Sequence, residues 1–316
     1  MRVAVEACGV CFHDVLNRRG AFPRTRFPAV LGHEVAGVVD AVGAGVDDGL
    51  VGRRVALLQN QPCGACEVCR RGDEVLCRAG GGYVGEESPG GYASAVIVRA
   101  TALVPVPEGV EPTAAAITAC ALGTSWQALS QVARVRPGEH ALVTGAGGGV
   151  GLHAVRLAAH LGAEVVAVTT SSQKADAIRA NGASHVVVAS DGRFAAAVKE
   201  LTGGGADVVL DPVGEVVLVE ALHALRPGGR HVLLGNVTGD MLKIPAGLVM
   251  LKGLALLSSV GVTAAGLAEL LGLVADRIIT PTVAEVVPLA EAERCHRLLE
   301  QRRVTGRLVL APERAS

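Results

Sequence analysis

The sequence predicts an α/β protein in which a small barrel-like β domain is joined to a doubly wound parallel sheet. Its length of 316 residues favours two domains over one. Short β-branched runs separated by turns fill the first hundred residues, and strands alternate with helices after residue 140. We therefore predict one domain at residues 1–121, completed by 261–316, and a second at residues 122–260.

Local patterns predict the elements of each domain. In the first domain, alternating or β-branched residues predict strands over 2–7, 35–42, 53–58, 93–98 and 307–310. A mostly apolar helix is expected over 113–129. In the second domain, strands are predicted over 141–144, 164–169, 185–188, 207–210 and 230–234, with helices over 150–161 and 173–180. An apolar edge strand over 254–260 suggests a homodimer or homotetramer.

Charge and hydropathy exclude several classes of protein. Lys plus Arg (29) nearly balances Asp plus Glu (30), which gives no support for binding to nucleic acid or to a membrane surface. No apolar run is long enough to span a membrane, and the N-terminus lacks a secretory signal. We expect a cytoplasmic protein, whose eight cysteines are metal ligands or buried residues rather than disulfides.

Four closely spaced cysteines give the strongest local signal in the chain. Two-residue gaps let successive thiolates wrap around one ion, and a fourth thiolate closes the tetrahedron. Because no coordination position remains open, the predicted zinc is structural. The four ligands are Cys63, Cys66, Cys69 and Cys77.

A second candidate metal site draws on residues that are far apart in the sequence. Cys11, His33 and Cys120 supply thiolate and imidazole ligands from separate elements. A catalytic zinc keeps three protein ligands and one open position, so ligands from different elements suit it. Asp14 is a natural partner to fix the His33 tautomer. Taken alone, Cys120 also fits a small buried hydrophobic residue, so this site depends on convergence in space.

A glycine-rich turn follows the predicted strand 141–144 and opens a helix. A turn without side chains lets backbone N–H groups and the helix N-terminus approach a pyrophosphate. The alternative is a tight turn with only a structural role. The residues assigned to the cofactor are Gly145, Gly147, Gly148, Gly149, Val150 and Gly151.

The residues after the next strand favour NADP(H) over NAD(H). An NAD site usually places Asp or Glu there to bind the ribose hydroxyls, whereas a 2′-phosphate needs donors. This chain has no acid at that place and offers Thr170, Ser171, Ser172 and Lys174. A helix N-cap formed by one of these hydroxyls is compatible with such a role.

Together these motifs resemble the zinc-dependent medium-chain dehydrogenase/reductase (alcohol dehydrogenase) family along essentially the whole chain. The resemblance rests on Cys-Gly-Val-Cys at 8–11, Gly-His-Glu at 32–34, Cys120, the four-cysteine lobe and the glycine turn. It implies a GroES-like β-barrel catalytic domain and a Rossmann domain. It also implies two zinc ions per chain, one catalytic and one structural, and a nicotinamide cofactor.

The resemblance assigns further roles to single residues. The catalytic zinc belongs to Cys11, His33 and Cys120, with Glu34 as an alternative or transient ligand. Thr124 falls where the family has a threonine near the nicotinamide. Arg307 falls where the family often has an arginine that binds the pyrophosphate. Gly235 ends a later signature of the nucleotide domain, and Gly235 and Asn236 are assigned to the cofactor.

The chain departs from the family pattern at the proton relay and at its start. Two residues after the first zinc cysteine, the family's alcohol dehydrogenases usually have a hydroxyl that passes on the substrate proton. Here the residue is His13, which we assign as the proton donor, with a structural histidine as the alternative. Leu16 replaces a relay histidine. The chain also lacks early strands of the family, so either the start codon is misassigned or the barrel has an unpaired edge.

The predicted function is that of a zinc-dependent NADP(H) oxidoreductase that interconverts a small alcohol and an aldehyde or ketone by hydride transfer. One alternative is an NADPH-dependent reductase of an activated alkene, of the acryloyl-CoA type. The arginines at 18, 19, 24 and 26 could meet its anionic substrate, although such clusters are also solvated faces. Another alternative is a non-catalytic relative that binds NADPH.

Overall fold

The computed structural model describes residues 1–312. Within it the chain forms two compact units. The first unit is Met1–Gly123 together with the chain from Gly261 onward, and the second unit is Thr124–Val260. The units change between Gly123 and Thr124, whereas the predicted domains change at 121/122.

The elements are named here in chain order. The strands are β1 Arg2–Val10, β2 Glu34–Ala41, β3 Arg54–Leu57, β4 Ala95–Ile97, β5 Leu103–Pro105, β6 His140–Val143, β7 Glu164–Thr169, β8 His185–Val188, β9 Ala206–Asp211, β10 Leu225–Leu233, β11 Ala255–Ser258, β12 Val283–Pro288 and β13 Arg307–Ala311. The α-helices are α1 Phe12–Arg18, α2 Glu67–Arg70, α3 Pro112–Ile117, α4 Gly123–Trp126, α5 Gly149–His160, α6 Ala175–Ala180, α7 Ala195–Leu201, α8 Glu215–Ala224, α9 Ala246–Lys252, α10 Ala264–Ala275 and α11 Ala292–Glu300. π-Helical turns at Thr118–Leu122 and Gln127–Val132 flank α4. None of the helices within residues 1–312 combines the length and the apolar composition that crossing a membrane requires.

The first unit is built on one sheet whose path runs β12-β13-β1-β2-β3-β5, with β4 paired to β1. The pairs are antiparallel except for β12 with β13. Strand β1 is longer than predicted because Cys8, Gly9 and Val10 pair with residues 308–310 of β13. Locally Gly9 looks like a turn, and its pairing with Glu34 of β2 and Val309 of β13 keeps it in the strand. Since β1 is paired on both sides, the unpaired edge considered from the sequence does not lie at this strand.

The second unit is a parallel sheet in the order β8-β7-β6-β9-β10-β11. The chain enters at β6, moves outward to β8 and then returns to β9. The strand order therefore reverses between β6 and β9, which confirms the predicted doubly wound fold. Ligands of such sheets bind outside the carboxyl ends of the strands at this reversal. The glycine-rich turn follows β6 and lies there.

The short helix α1 was not predicted, and it positions part of the candidate site. Its seven residues are too few to give a helical period in the sequence. Cys11 is its N-cap residue, and the Cys11 backbone N–H donates to Asp14 Oδ2 at 2.8 Å. This bond is one half of a capping box. The start of one helix thus fixes Cys11 and Asp14 together.

Candidate active site

Four potential metal ligands converge in the first unit. Cys11 follows β1, His33 and Glu34 stand at the start of β2, and Cys120 lies on the π-helical turn after α3. Their ligand atoms lie within 4.8 Å of one another, and all four residues are buried. The antiparallel pairing of β1 with β2 sets Gly9 opposite Glu34, which brings the end of one strand against the start of the other.

This donor set fits a zinc ion. Two sulfurs, one imidazole nitrogen and one carboxylate are all common zinc ligands. His33 Nε2 and Glu34 Oε2 are buried and have no hydrogen-bond partner among the described residues. Because unpaired buried polar atoms are costly, their convergence indicates a site for a cation.

A hydrogen bond joins the two thiols of the site. The hydrogen bond from Cys120 lowers the pKa of Cys11 well below its usual value, and Arg307 and His33 lower it further. The same bond, together with burial, raises the pKa of Cys120 well above its usual value. These opposite shifts favour the thiolate at Cys11 and the thiol at Cys120.

Asp14 holds His33 in one orientation. Its Oδ1 atom lies 3.1 Å from His33 Nδ1 and also accepts from the Gly32 backbone N–H at 3.2 Å. Burial alone would lower the pKa of His33, but the charge and hydrogen bond of Asp14 raise it well above its usual value. With Nδ1 held by Asp14, Nε2 is the atom left for the metal. A carboxylate behind a ligating histidine is typical of zinc sites.

Zinc affinity at this site is expected to increase with pH. In the metal-free protein Cys120 and His33 both hold protons, and a ligand must lose its proton to bind zinc. One to two protons released per zinc correspond to a roughly 10- to 100-fold decrease in Kd per pH unit around neutrality. Competition with a chromogenic chelator at several pH values measures this slope. A Kd that does not change with pH would contradict the assigned protonation states.

Arg307 lies inside the metal site. Its Nη2 atom is 2.7 Å from Glu34 Oε1, and both side chains are buried. Burial raises the pKa of Glu34 to about 7, although the positive charge of Arg307 opposes this shift. Arg307 thus compensates the charge of a buried carboxylate. Its contact with a pyrophosphate stays a prediction.

The four cysteines at 63–77 form a second cluster in the first unit, with ligand atoms within 4.8 Å of one another. The Cys66 sulfur is 3.5 Å from that of Cys69 and 3.8 Å from that of Cys77. Backbone N–H groups of Ala65 and Cys66 lower the pKa of Cys63 to about 6, which favours its thiolate. The set of four thiols leaves no open position on a tetrahedral zinc, which fits a structural ion.

In the second unit, the turn after β6 has little room for side chains at Gly145, Gly147 and Gly151. Gly145 has a φ of 55°, and a Cβ on Gly151 would lie 2.3 Å from the Gly145 carbonyl oxygen. A Cβ on Gly147 would lie 2.5 Å from the Lys174 side chain. The turn is capped by Gly148 and leads directly into α5. These features fit the close approach of a pyrophosphate to the backbone.

The polar residues after β7 lie beside this turn. Lys174 Nζ is 3.4 Å from the Gly147 carbonyl oxygen. Burial lowers the pKa of this half-buried lysine. Thr170, Ser171 and Ser172 occupy the segment between β7 and α6. A cation and several hydroxyls thus stand where an NAD site usually places a carboxylate.

Comparison with known proteins identifies the family. Residues 1–108 match the alcohol dehydrogenase GroES-like domain, and residues 149–276 match the zinc-binding dehydrogenase domain. The chain is 36% identical over 309 residues to an acryloyl-coenzyme A reductase of Metallosphaera sedula, covering 98% of this chain and 91% of that protein. It is 32% identical over 312 residues to an alcohol dehydrogenase of Geobacillus stearothermophilus, covering 98% and 90%. The chain belongs to the zinc-dependent medium-chain dehydrogenase/reductase family.

A solved structure supports the same family. The crystal structure of AibC is 43% identical, with a TM-score of 0.90 over 99% of this chain and 87% of AibC. The predicted family and fold class are both confirmed, and the chain is an oxidoreductase of the medium-chain dehydrogenase/reductase type. The family uses zinc and a nicotinamide cofactor, which agrees with the two cysteine-containing clusters.

His13 lies next to the metal site of this medium-chain dehydrogenase/reductase. Its ring is stacked on Phe22, with centroids 4.3 Å apart, and meets the His33 ring edge-on at 5.0 Å. His13 Nε2 is 3.3 Å from Glu86 Oε2. The imidazole therefore stands within a short distance of a metal ligand. Thr124, four residues after Cys120, is half-buried at the start of the second unit.

Asp211 has a role that the sequence did not reveal. Its Oδ1 atom accepts from Thr144 Oγ1 at 2.7 Å and from the backbone N–H of Gly214 at 3.0 Å. Its Oδ2 atom is 3.2 Å from His231 Nε2. This buried carboxylate fastens the ends of β6, β9 and β10 together beside the glycine turn. A Cβ on Gly235 would lie 2.8 Å from the Pro212 carbonyl oxygen, so the loop that continues to Asn236 packs closely here.

Proposed function

We propose that this protein reduces the activated carbon–carbon double bond of a small α,β-unsaturated thioester of the acryloyl-CoA type, with NADPH as reductant. The observation that carries the proposal is an imidazole, His13, beside the metal site at the position where the family's alcohol dehydrogenases usually have a hydroxyl. The 36% identical acryloyl-coenzyme A reductase supports the same substrate class.

The residues would divide the chemistry as follows. Cys11, His33 and Cys120 would hold zinc, with Glu34 as an exchangeable ligand, and the ion would supply a Lewis acid for the substrate carbonyl. When bound, NADPH would supply the hydride that the β carbon accepts. His13 supplies the proton to the α carbon, and Glu86 holds its ring in place. The products are the saturated thioester and NADP⁺.

Interconversion of an alcohol with an aldehyde or ketone is the second candidate. The complete set of metal ligands and the similarity to an alcohol dehydrogenase favour it. Crotonaldehyde separates the two, because butyraldehyde results from reduction of the double bond and crotyl alcohol from reduction of the carbonyl. Formation of crotyl alcohol, with no turnover of crotonoyl-CoA, would overturn the first proposal. A zinc-loaded protein that turns over neither substrate would be a non-catalytic relative.

The His13→Ala variant is expected to lose about 10²- to 10⁴-fold in kcat for crotonoyl-CoA, because it lacks the general acid. Its zinc content should equal that of the parent protein, since His13 is outside the ligand set. Steady-state kinetics and metal analysis measure both quantities. Unchanged turnover would remove His13 from the mechanism.

We propose that NADP(H) is preferred over NAD(H), with Thr170, Ser171, Ser172 and Lys174 around the 2′-phosphate. Lys174→Ala is then expected to increase the KM for NADPH about tenfold and to change the KM for NADH less than about twofold. Lys199→Ala on α7 is a matched control in the same unit and should change neither value. An equal effect on both cofactors would contradict a contact with the 2′-phosphate.

We propose that the protein is a homodimer or homotetramer assembled through β11. This strand is the end of the parallel sheet, and Met250 and Leu251 just before it are 79% and 91% exposed. The outer edge of a terminal strand, flanked by exposed apolar side chains, favours pairing with another copy. Light scattering of the purified protein gives the mass, and a monomer would reject the proposal.

A further inference from the structure

An arginine-lined pocket lies in the first unit outside the proposed chemistry. It has a volume of about 440 Å³, and its lining includes Arg24, Arg78, Asn60, Glu87 and the backbone of Gly80–Gly82. An adjoining cavity is lined by Arg26 and shares Arg24 and Glu87 with the first. We refer to both together as the arginine pocket. Its volume is within the range of small-molecule sites.

The charge of the arginine pocket is positive. Glu87 Oε1 lies 3.2 Å from Arg24 Nη1 and compensates that arginine. Arg78 has a neutral partner instead, because its Nη1 donates to the Tyr83 hydroxyl at 2.9 Å and its guanidinium lies 5.5 Å from the centre of the Tyr83 ring. With Arg26 also in the lining, cations outnumber carboxylates. Such a site favours an anionic ligand.

Two loops join the arginine pocket to His13. Phe22 stacks on His13, and Arg24 follows two residues later. Glu86 is the partner of His13, and Glu87 is the next residue. Because two residues span at most about 7 Å of chain, the pocket begins close to the proposed proton donor. A flexible substrate arm can therefore reach from one to the other.

The two loops are also tied to each other. Asn17 of α1 donates to the Gly85 carbonyl oxygen at 2.6 Å and accepts from Thr25 Oγ1 at 2.6 Å. Asn17 is buried, so both bonds are shielded from water. The walls of the arginine pocket are thereby held in place without a ligand.

The four arginines at 18, 19, 24 and 26 fall into two groups with different partners in the structure. Arg18 and Arg19 both contact Glu300 Oε1, at 2.6 and 2.8 Å, and are compensated on α11. Arg24 and Arg26 instead line the arginine pocket, together with Arg78, which the sequence did not single out. The second group differs from the first in lining a cavity that a substrate can enter.

We propose that the arginine pocket binds the phosphate-bearing end of a coenzyme A thioester and thereby selects CoA-bound substrates over smaller acyl carriers. The inference rests on the proposed reduction of an α,β-unsaturated thioester. Guanidinium groups bind phosphate oxygens through paired N–H donors. The pantetheine arm spans the distance from the pocket to His13, and Glu87 limits the affinity through its negative charge.

The test compares crotonoyl-CoA with crotonoyl-pantetheine, which lacks the phosphates, on zinc-loaded protein with NADPH. The measured quantity is the kcat/KM for crotonoyl-CoA divided by the kcat/KM for crotonoyl-pantetheine. Arg78→Gln and Arg26→Gln should each lower this ratio about three- to tenfold, the range of one partly exposed charge contact. Glu87→Gln should increase it, because a repulsive charge is removed. Arg53→Gln, an exposed arginine outside the pocket, is the matched control and should leave the ratio unchanged.

The outcomes separate this inference from the proposed function. If both thioesters are reduced and the ratio is the same in all variants, the pocket does not bind the phosphates, while the proposed function stands. If neither thioester is reduced, calorimetry with free CoA decides the inference. Binding that Arg26→Gln weakens supports the pocket, and absence of binding overturns it. Arg78 follows Cys77 of the four-cysteine cluster, so the zinc content of Arg78→Gln is measured to show that this cluster is intact. Arg26 is remote from the cluster in sequence, so Arg26→Gln tests the pocket without this complication.

Discussion

Cys120→Ala is expected to lower kcat by about 10³-fold or more while the protein keeps one zinc per chain. A Lewis acid contributes several kcal/mol to stabilisation of the developing charge, and each 1.36 kcal/mol is about tenfold in rate. Without Cys120 only two of the three proposed zinc ligands remain, Cys11 and His33, and Glu34 is already held by Arg307 at 2.7 Å. Kinetics and metal analysis of the same preparation measure both effects.

The matched control for this experiment is Cys295→Ala. Cys295 is also a buried cysteine of the first unit, but it packs against Val10 and Leu308 in an apolar cluster and has no part in either metal site. This variant should keep two zinc ions and nearly full activity. If Cys120→Ala also kept two zinc ions and full turnover, the proposed metal site would be wrong.

Cys66→Ser is expected to remove the other zinc and to lower the melting temperature by roughly 10 °C. The segment around the four cysteines has only two short helical turns, at Glu67–Arg70 and Glu74–Leu76, and few buried side chains, so we expect a bound metal to stabilise it. Because these ligands lie outside the proposed catalytic site, the protein that remains folded should keep its catalytic zinc. Calorimetry and metal analysis measure the two effects.

Glu67→Gln controls for changes in the same segment. Its carboxylate is 86% exposed and is not a ligand, so both zinc ions and the melting temperature should be retained. A Cys66→Ser protein with an unchanged melting temperature and two zinc ions would show that the cluster does not bind a structural metal.

The sequence predicted the parts of the site that depend on residue type and spacing. Two-residue gaps between cysteines are a local pattern, and the glycine turn after β6 is local as well. The zinc-ligand candidates Cys11, His33 and Cys120 came from their chemistry and then from the family resemblance. The structure brings these three within one site.

The contacts that the sequence did not reveal join residues through tertiary packing. The Tyr92 hydroxyl lies 3.1 Å from His296 Nε2 and donates to Asp14 Oδ2 at 3.4 Å. No local sequence pattern links these three positions. The compensation of Glu34 by Arg307 likewise depends on the register of β13. Strand β1 extends through Gly9 for the same reason, since propensity alone would end it earlier.

The placement of β13 affects how the polypeptide is assembled in time. The strand that carries Arg307 lies between β12 and β1, with Leu310 opposite Cys8. The second unit is contiguous in sequence, so all its strands have been synthesised before β13. The early strands of the first unit can pair with β13 only after that. Until residue 307 has been synthesised, Glu34 lacks its ion-pair partner, the Arg307 guanidinium. The pairing of β1 with β13, which orders the end of β1 next to Cys11, therefore forms only after the second unit has been synthesised.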